Sequence, residues 1–452
     1  MTKLFGTDGI RGRANVYPIT PDNMMKVAMA FGYKLRQLSP DGECRIIIGK
    51  DTRKSSYMIE NALCAGFIAA GANVFTTGPL PTPAISFLTR QMRCDAGVMI
   101  SASHNPYYDN GIKLFDKKGF KLSPVVENEI EELVLNSSFD DLCCHNDKLG
   151  QEIKIEDAYG RYIEYLKTIF PKEEDLHGMK IVVDSANGAA HRIAGEVFWE
   201  LGAEVIKIGN SPNGFNINEN CGSMHPEILS KTVIENGADF GIALDGDADR
   251  IVIVDEKGEV ASGDQLLALI AVYFKKRDLL SKSAIVATIM SNGNLDRHLD
   301  KVGVSVIRTR VGDKHVSEEM IKSGINFGGE NSGHIILGDF GSTGDGLAVG
   351  LLVATILRQS RQKASDIFKV FDEMPQIKDE VWYEDKITDV QWDQIQIEVD
   401  KRQEQLKAQS GSIIVRRSGT EKKVRIMVES NDVNLAKEIV GKIADVIKIN
   451  IK

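Results

Sequence analysis

The chain has 452 residues, 42% of them hydrophobic and 26% charged, with a formal net charge of −9. That length exceeds what one hydrophobic core serves and argues for three or four globular domains. The acidic balance argues against general nucleic-acid binding, which needs a basic surface, but it leaves room for a local basic pocket around a small anion.

In chain order, Met1-Thr-Lys-Leu-Phe-Gly6 lacks the charged-then-apolar pattern of a secretory leader, and no later apolar run is long enough to span a bilayer. The six cysteines show no metal-type spacing. The expectation is a cytoplasmic location with reduced thiols and no membrane partner. Arg45 to Asp51 reads as a buried, β-branched strand, residues 55–70 as a helix, and Gly71 to Phe75 as a second strand. Gly97-Val-Met-Ile100 is a further apolar strand that runs into Ser101-Ala-Ser-His-Asn-Pro106, where Asn-Pro signals a turn. Residues 136–157 are polar and hold the vicinal Cys143 and Cys144, so they read as a linker.

The same grammar then returns twice. Lys180 to Asp184, a helix over 189–201 and Gly202 to Ile206 lead to the tip Asp245-Gly-Asp-Ala-Asp-Arg250. Ala284 to Thr288, a helix over 293–301 and Gly303 to Ile307 lead to Gly328-Gly-Glu-Asn-Ser-Gly-His334. Three strand–helix–strand units predict parallel sheets whose tips face a shared cleft, because ligands in such sheets bind beyond the strand ends. Pro375 marks a break. Beyond it, strands at Gly411 to Val415 and Val424 to Val428 flank a polar turn, and a helix over 432–448 closes a small α+β domain.

The tips carry the chemistry. Ser103 stands at a strand end beside His104, and a hydroxyl held there carries a group covalently once activated. Asp245, Asp247 and Asp249 alternate, which puts three carboxylates on one side of an extended segment. Such a cluster repels itself unless a cation neutralises it, and oxygen-only ligation suits Mg²⁺. Arg416-Arg-Ser-Gly-Thr-Glu421 offers a guanidinium, hydroxyls and glycine-freed backbone N–H groups, which suit a phosphate. Glu330 and Ser332 are placed to hydrogen-bond a polyol or amino sugar. Arg11, at the end of Phe5-Gly-Thr-Asp-Gly-Ile-Arg-Gly12, and Lys113 are cations suited to holding phosphate near Ser103.

These four loops, in this order, make the chain similar to the α-D-phosphohexomutases over essentially its whole length. The resemblance implies an α/β fold: three related α/β domains with mixed sheets plus a smaller α+β C-terminal domain, arranged around a central cleft, at 1–150, 151–256, 257–372 and 373–452. It implies that Ser103 bears a phosphoryl group and that Asp245, Asp247 and Asp249, with a phosphoserine oxygen, hold Mg²⁺. Glu330, Ser332 and His334 would bind the sugar. Arg416, Ser418, Gly419, Thr420 and Arg425 would bind the distal phosphate. Arg11, His104, Lys113 and Arg250 would support catalysis.

Within the family, the Phe5 to Gly12 segment, Val311-Gly-Asp-Lys314 and Ser418-Gly-Thr-Glu421 look most like the branch acting on glucosamine phosphates, whose product feeds UDP-N-acetylglucosamine and cell-wall precursors. Lys422, where the family commonly has proline, and Asn331, in place of the more usual glutamine, depart from the pattern. The implied partner is a small hexosamine phosphate, with glucosamine 1,6-bisphosphate or glucose 1,6-bisphosphate as intermediate or activator, and a homodimer is compatible with the resemblance. Two other readings are a mutase for mannose or glucose phosphates and a non-catalytic sugar-phosphate-binding regulator. The intact Ser103 and three aspartates speak against the second.

Overall fold

The computed structural model describes residues 3–6, 8–38, 43–384, 387–407, 411–417 and 422–451. Its strands form four sheets. The first contains β1 (Ile10–Arg13), β2 (Cys44–Lys50), β3 (Ala72–Pro79), β4 (Ala96–Ile100), β5 (Asp109–Asp116) and β6 (Glu152–Lys154), in the order β1-β5-β4-β2-β3-β6. The second contains β7 (Lys180–Asp184), β8 (Glu204–Ile208), β9 (Phe240–Leu244), β10 (Ile251–Asp255) and β11 (Val260–Ala261), in the order β11-β10-β9-β7-β8. The third contains β12 (Ala284–Thr288), β13 (Ser305–Thr309), β14 (Phe327–Gly329) and β15 (Ile335–Leu337), in the order β13-β12-β14-β15.

One scheme generates all three. A buried strand pairs in parallel with the next through a helical crossover: β2 with β3, β7 with β8, β12 with β13. A third strand then pairs in parallel on the other flank: β4, β9 and β14. The chain reverses and adds an antiparallel neighbour: β5, β10 and β15. The first strand of each unit is covered on both faces, so Ile46-Ile47-Ile48, Ile181-Val182-Val183 and Ile285-Val286 are all buried and continuously apolar rather than alternating. The reversal between the third and fourth strands is the tip that carries polar residues in each unit.

The segment 136–157, read from sequence as a linker, is more ordered than that. It contains a helical turn, Phe139–Leu142, and β6, which pairs in parallel with β3 and extends the first sheet. The helix expected over 189–201 begins only at Ile193. Before it, the Ala189 N–H donates to the Gly246 carbonyl at 2.8 Å, so the backbone serves the acidic tip instead of a helix. A Cβ at Gly188 would lie 2.4 Å from that carbonyl oxygen, which only glycine avoids.

The C-terminal sheet is β16 (Gln376–Trp382), β17 (Ser412–Arg417) and β18 (Lys423–Glu429), all antiparallel, in the order β16-β18-β17. The helices Asp389–Lys407 and Val433–Asn450 complete this unit. It has its own core, with Val381, Ile395, Val424, Ile426, Ile439 and Ile443 among its members. One continuous apolar cluster, which joins Ile47, Ile181 and Ile285, runs through the first three units. No helix among the described residues is long and apolar enough to cross a membrane.

Candidate active site

Ser103 follows β4 with φ +53°, a left-handed conformation that costs a non-glycine residue about 1–3 kcal/mol. The loop is over-determined by its supports. Arg53, fully buried, donates to the carbonyls of Ser103 at 3.1 Å and Asn105 at 2.6 Å, and is itself paired with Asp51. Asn218, from the second unit, donates to the same two carbonyls at 2.9 and 3.1 Å. The Ser103 N–H donates to Ser101 Oγ at 2.9 Å. The result is a hydroxyl held at one point, where Ser103 Oγ donates to Asp245 Oδ2 at 2.6 Å.

Asp245, Asp247 and Asp249 are all buried, and each offers a carboxylate oxygen within 4.8 Å of the others. Ala248, at φ +56°, bends the loop between them. Lys113, on β5, donates to Asp247 Oδ2 and Asp249 Oδ2 at 2.8 Å each, and Thr82 Oγ1 donates to Asp247 Oδ2 at 2.6 Å. Asp247 Oδ1 and Asp249 Oδ1 are buried with no hydrogen-bond partner among the described residues. Burial first, and then the Asp249 and Asp247 charges, push the Asp245 carboxyl well above the usual range. Burial opposes ionisation of Asp249 too, but Lys113, His334 and Arg250 outweigh it and hold that carboxyl well below the usual range. Lys113 thus bonds to two of the three buried carboxylates, and two carboxylate oxygens stay orphaned. That donor set fits a hard divalent cation, Mg²⁺ above all.

The remaining expected residues gather in two groups. Arg11, on β1, donates to the Ala102 carbonyl at 3.3 Å and pairs with Asp8. His104 Nδ1 lies 3.4 Å from Ser103 Oγ, and burial, Arg250 and Arg11 lower its pKa to about 4, so it is neutral at pH 7. His334 stands beside the acidic tip, 3.8 Å from Asp249 Oδ1 and 3.8 Å from Asp313 Oδ2. The Glu330 N–H donates to the His334 carbonyl at 2.9 Å, and Glu330 and Ser332 line a cavity of about 390 Å³ together with His104, Arg250, Arg416 and Arg425. Gly333, at φ +84°, turns the chain between Ser332 and His334. The cavity therefore has walls from all four units. Glu330 is fixed within it by accepting from the Gly312 N–H at 2.9 Å.

On the C-terminal wall, Arg416 of β17 and Arg425 of β18 are directly opposed across the strand pair. Like charges in that position repel. Burial and the Arg425 charge lower the Arg416 pKa, and Arg416 Nε has no partner among the described residues. An anion placed between them removes the repulsion. Ser418, Gly419 and Thr420, expected in the same turn, lie outside the described residues.

Sequence reasoning did not find Arg53, Asn218, Thr82, or the chain of charges Asp8, Lys121 and Asp313. For Arg53 a signal existed: Lys50-Asp-Thr-Arg53 is a polar run at the tip of a buried strand.

Family models for phosphoglucomutase/phosphomannomutase match in order along the chain: alpha/beta/alpha domain I at residues 2–141, domain II at 160–258, domain III at 262–374 and the C-terminal domain at 362–446. The chain belongs to the phosphoglucomutase/phosphomannomutase family. Among the relatives of this family member, the phosphoglucosamine mutase of Paracoccus denitrificans is 48% identical over 438 residues, 97% of each chain. That of Nautilia profundicola is 48% identical over 449 residues, 99% of each chain. Among solved structures, a phosphoglucomutase/phosphomannomutase family protein from Burkholderia thailandensis superposes with a TM-score of 0.81 at 22% identity, covering 99% of this chain and 97% of the other. Aspergillus fumigatus N-acetylphosphoglucosamine mutase, in complex with GlcNAc-6P and magnesium, gives 0.68 at 17% identity over 99% and 96%. These two likenesses concern the fold.

Proposed function

We propose that the chain interconverts glucosamine 6-phosphate and glucosamine 1-phosphate through a phosphoserine at Ser103 and a bisphosphorylated sugar. The observation that carries the chemistry is the Ser103 hydroxyl held at 2.6 Å from Asp245 inside a buried carboxylate triad. The substrate reading rests on the relatives called phosphoglucosamine mutase at 48% identity over nearly the full chain.

Phosphoryl transfer needs in-line positioning and neutralised oxygens above all. Phospho-Ser103 gives its phosphoryl group to a free sugar hydroxyl: the bond from Ser103 Oγ to phosphorus breaks, and the sugar oxygen-to-phosphorus bond forms. Neutral His104, beside Ser103 Oγ, is placed to take the sugar hydroxyl proton and pass it to the departing Ser103 oxygen, which becomes the free hydroxyl again. Asp245, Asp247 and Asp249, with a phosphoserine oxygen, would hold Mg²⁺, which when bound neutralises the phosphoryl oxygens. Lys113 and Arg11 add fixed positive charge on the same side. Glu330 and Ser332 would orient the sugar hydroxyls, while Arg416 and Arg425 hold the remote phosphate. The bisphosphate turns end for end, and Ser103 takes back the other phosphate. Glucosamine 1,6-bisphosphate or glucose 1,6-bisphosphate would prime a dephosphorylated enzyme.

The test compares turnover of glucosamine 6-phosphate, glucose 6-phosphate and mannose 6-phosphate by one preparation. The expected result is the largest kcat/KM for glucosamine 6-phosphate. A larger value for mannose or glucose phosphate would transfer the assignment to that sugar.

A further inference from the structure

Hydrogen bonds from a half-buried glutamine and a buried glutamate tie the C-terminal sheet to the third unit. Gln376 of β16 and Glu429 of β18 are opposite each other in register. Glu429 is 2% exposed. Its Oε1 accepts from the Gly293 N–H at 2.8 Å, and its Oε2 accepts from Gln376 Nε2 at 2.9 Å. Gly293 is the first residue of the helix Gly293–Lys301, so a carboxylate from the C-terminal unit occupies the positive end of a helix in the third. A Cβ at Gly293 would lie 2.6 Å from Glu429 Oε1, so a larger residue there would push the carboxylate off its present position. Gln376 Nε2 also reaches the Met290 carbonyl at 3.5 Å. Asn331, inside the sugar loop, donates to that same carbonyl at 3.2 Å. Asn292 completes the seam by donating to the Met374 carbonyl at 2.9 Å and accepting from the Met374 N–H at 3.1 Å.

Strand alternation extends this anchor into the cavity. Side chains at every second position share a face. Gln376, Lys378 and Glu380 of β16 therefore lie on the face that carries Glu429, Met427 and Arg425 of β18, paired in that order. The Gln376/Glu429 pair is the anchored end. The Arg425 end, which faces the cavity with Arg416, lies four residues, or about 13 Å, further along. A tilt of about 5° at the anchor moves the arginines by about 1 Å, a displacement large enough to matter for a bound phosphate.

We propose that Glu429 and Gln376 are positioning residues that set the distance between the arginine face of the C-terminal unit and the sugar loop. They do so by docking on the Gly293 N–H and the Met290 carbonyl. Their substrate consequence rests on the reading of the cavity as the hexosamine phosphate site. An acid at 429 serves both donors at once, the Gly293 N–H on Oε1 and the Gln376 amide on Oε2. A glutamine there satisfies both partners only if Gln376 turns its amide and gives up the Met290 carbonyl.

The experiment compares Glu429→Gln with the double exchange Gln376→Glu plus Glu429→Gln, which restores one acceptor for each donor. The expected result for the single variant is a KM for glucosamine 6-phosphate raised about tenfold or more with a smaller change in kcat. It also shows faster hydrogen exchange at Gly293 and along β18, and it still accepts a phosphate at Ser103. The double exchange restores the Gly293 and carboxylate–amide bonds but loses the donor to the Met290 carbonyl, so it slows the exchange at Gly293 again and recovers KM in part. Should Glu429→Gln fail to fold, Gln376→Leu, which leaves the Gly293 bond intact, is expected to raise KM in the same direction. An unchanged KM in the variant that folds, or a double exchange no better than the single, would overturn the proposal. If wild type does not turn over glucosamine 6-phosphate at all, the substrate reading fails. The exchange at Gly293, read without any sugar, then decides the docking on its own.

Discussion

Ser103 keeps a left-handed backbone because Arg53 and Asn218 hold the carbonyls on either side of His104, and that geometry delivers its hydroxyl to Asp245. The aspartates do a different job: they create a deficit of positive charge that Lys113 alone does not fill. Asp247→Asn removes one of those charges without changing side-chain shape. It is expected to raise the Mg²⁺ concentration needed for half-maximal activity and to slow turnover by orders of magnitude, each tenfold being about 1.4 kcal/mol. Mg²⁺ binding measured by calorimetry should weaken in parallel. An unchanged Mg²⁺ titration would reduce the triad to a buried charge cluster. Ser103 and the aspartates were legible in sequence because strand tips and alternation are local signals. Arg53 and Asn218 were not, since their partners are backbone carbonyls 50 and 115 residues away. Sequence adjacency grouped His334 with Glu330 and Ser332, and the turn at Gly333 also sets it beside Asp249, a contact the sequence did not signal.

Elements decide which side chains meet. The turn between third and fourth strands recurs in three units and supplies Ser103, the aspartates and Glu330 from the same topological place. The C-terminal unit contributes differently, through two opposed arginines on β17 and β18. Arg416→Ala should raise KM for glucosamine 6-phosphate strongly and also lower kcat, because a mislaid remote phosphate misplaces the reacting hydroxyl. Ser103 should still be phosphorylated by glucosamine 1,6-bisphosphate at high concentration. Steady-state kinetics like wild type would remove Arg416 from the substrate site. Of this unit, β17, β18 and the last helix were legible, being apolar and strongly patterned. β16 was not: Lys378-Asp-Glu380 interrupts its apolar character, as suits an edge strand. The helix Asp389–Lys407 also escaped notice, since it buries few apolar residues, Ile395, Val399 and Leu406 among them, in a polar run.

At the scale of the molecule, one apolar cluster runs through the first three units, each of which also has apolar packing of its own, while the C-terminal unit keeps a separate core. The repeat was readable because each unit reuses the same buried strand and crossover helix. The cavity was not, because its walls are Arg250, Glu330 and Arg416 together with His104, which only the packing of separate units brings together. The central claim is that Ser103 carries the phosphoryl group in transit, and mass spectrometry of the peptide containing it is the most direct test. After incubation with glucosamine 1,6-bisphosphate and Mg²⁺, the account predicts one phosphate on Ser103. Excess glucosamine 6-phosphate should then remove it, with the phosphate recovered as sugar bisphosphate. A phosphate found on Ser101 instead, or none on this peptide while the enzyme turns over, would contradict the account.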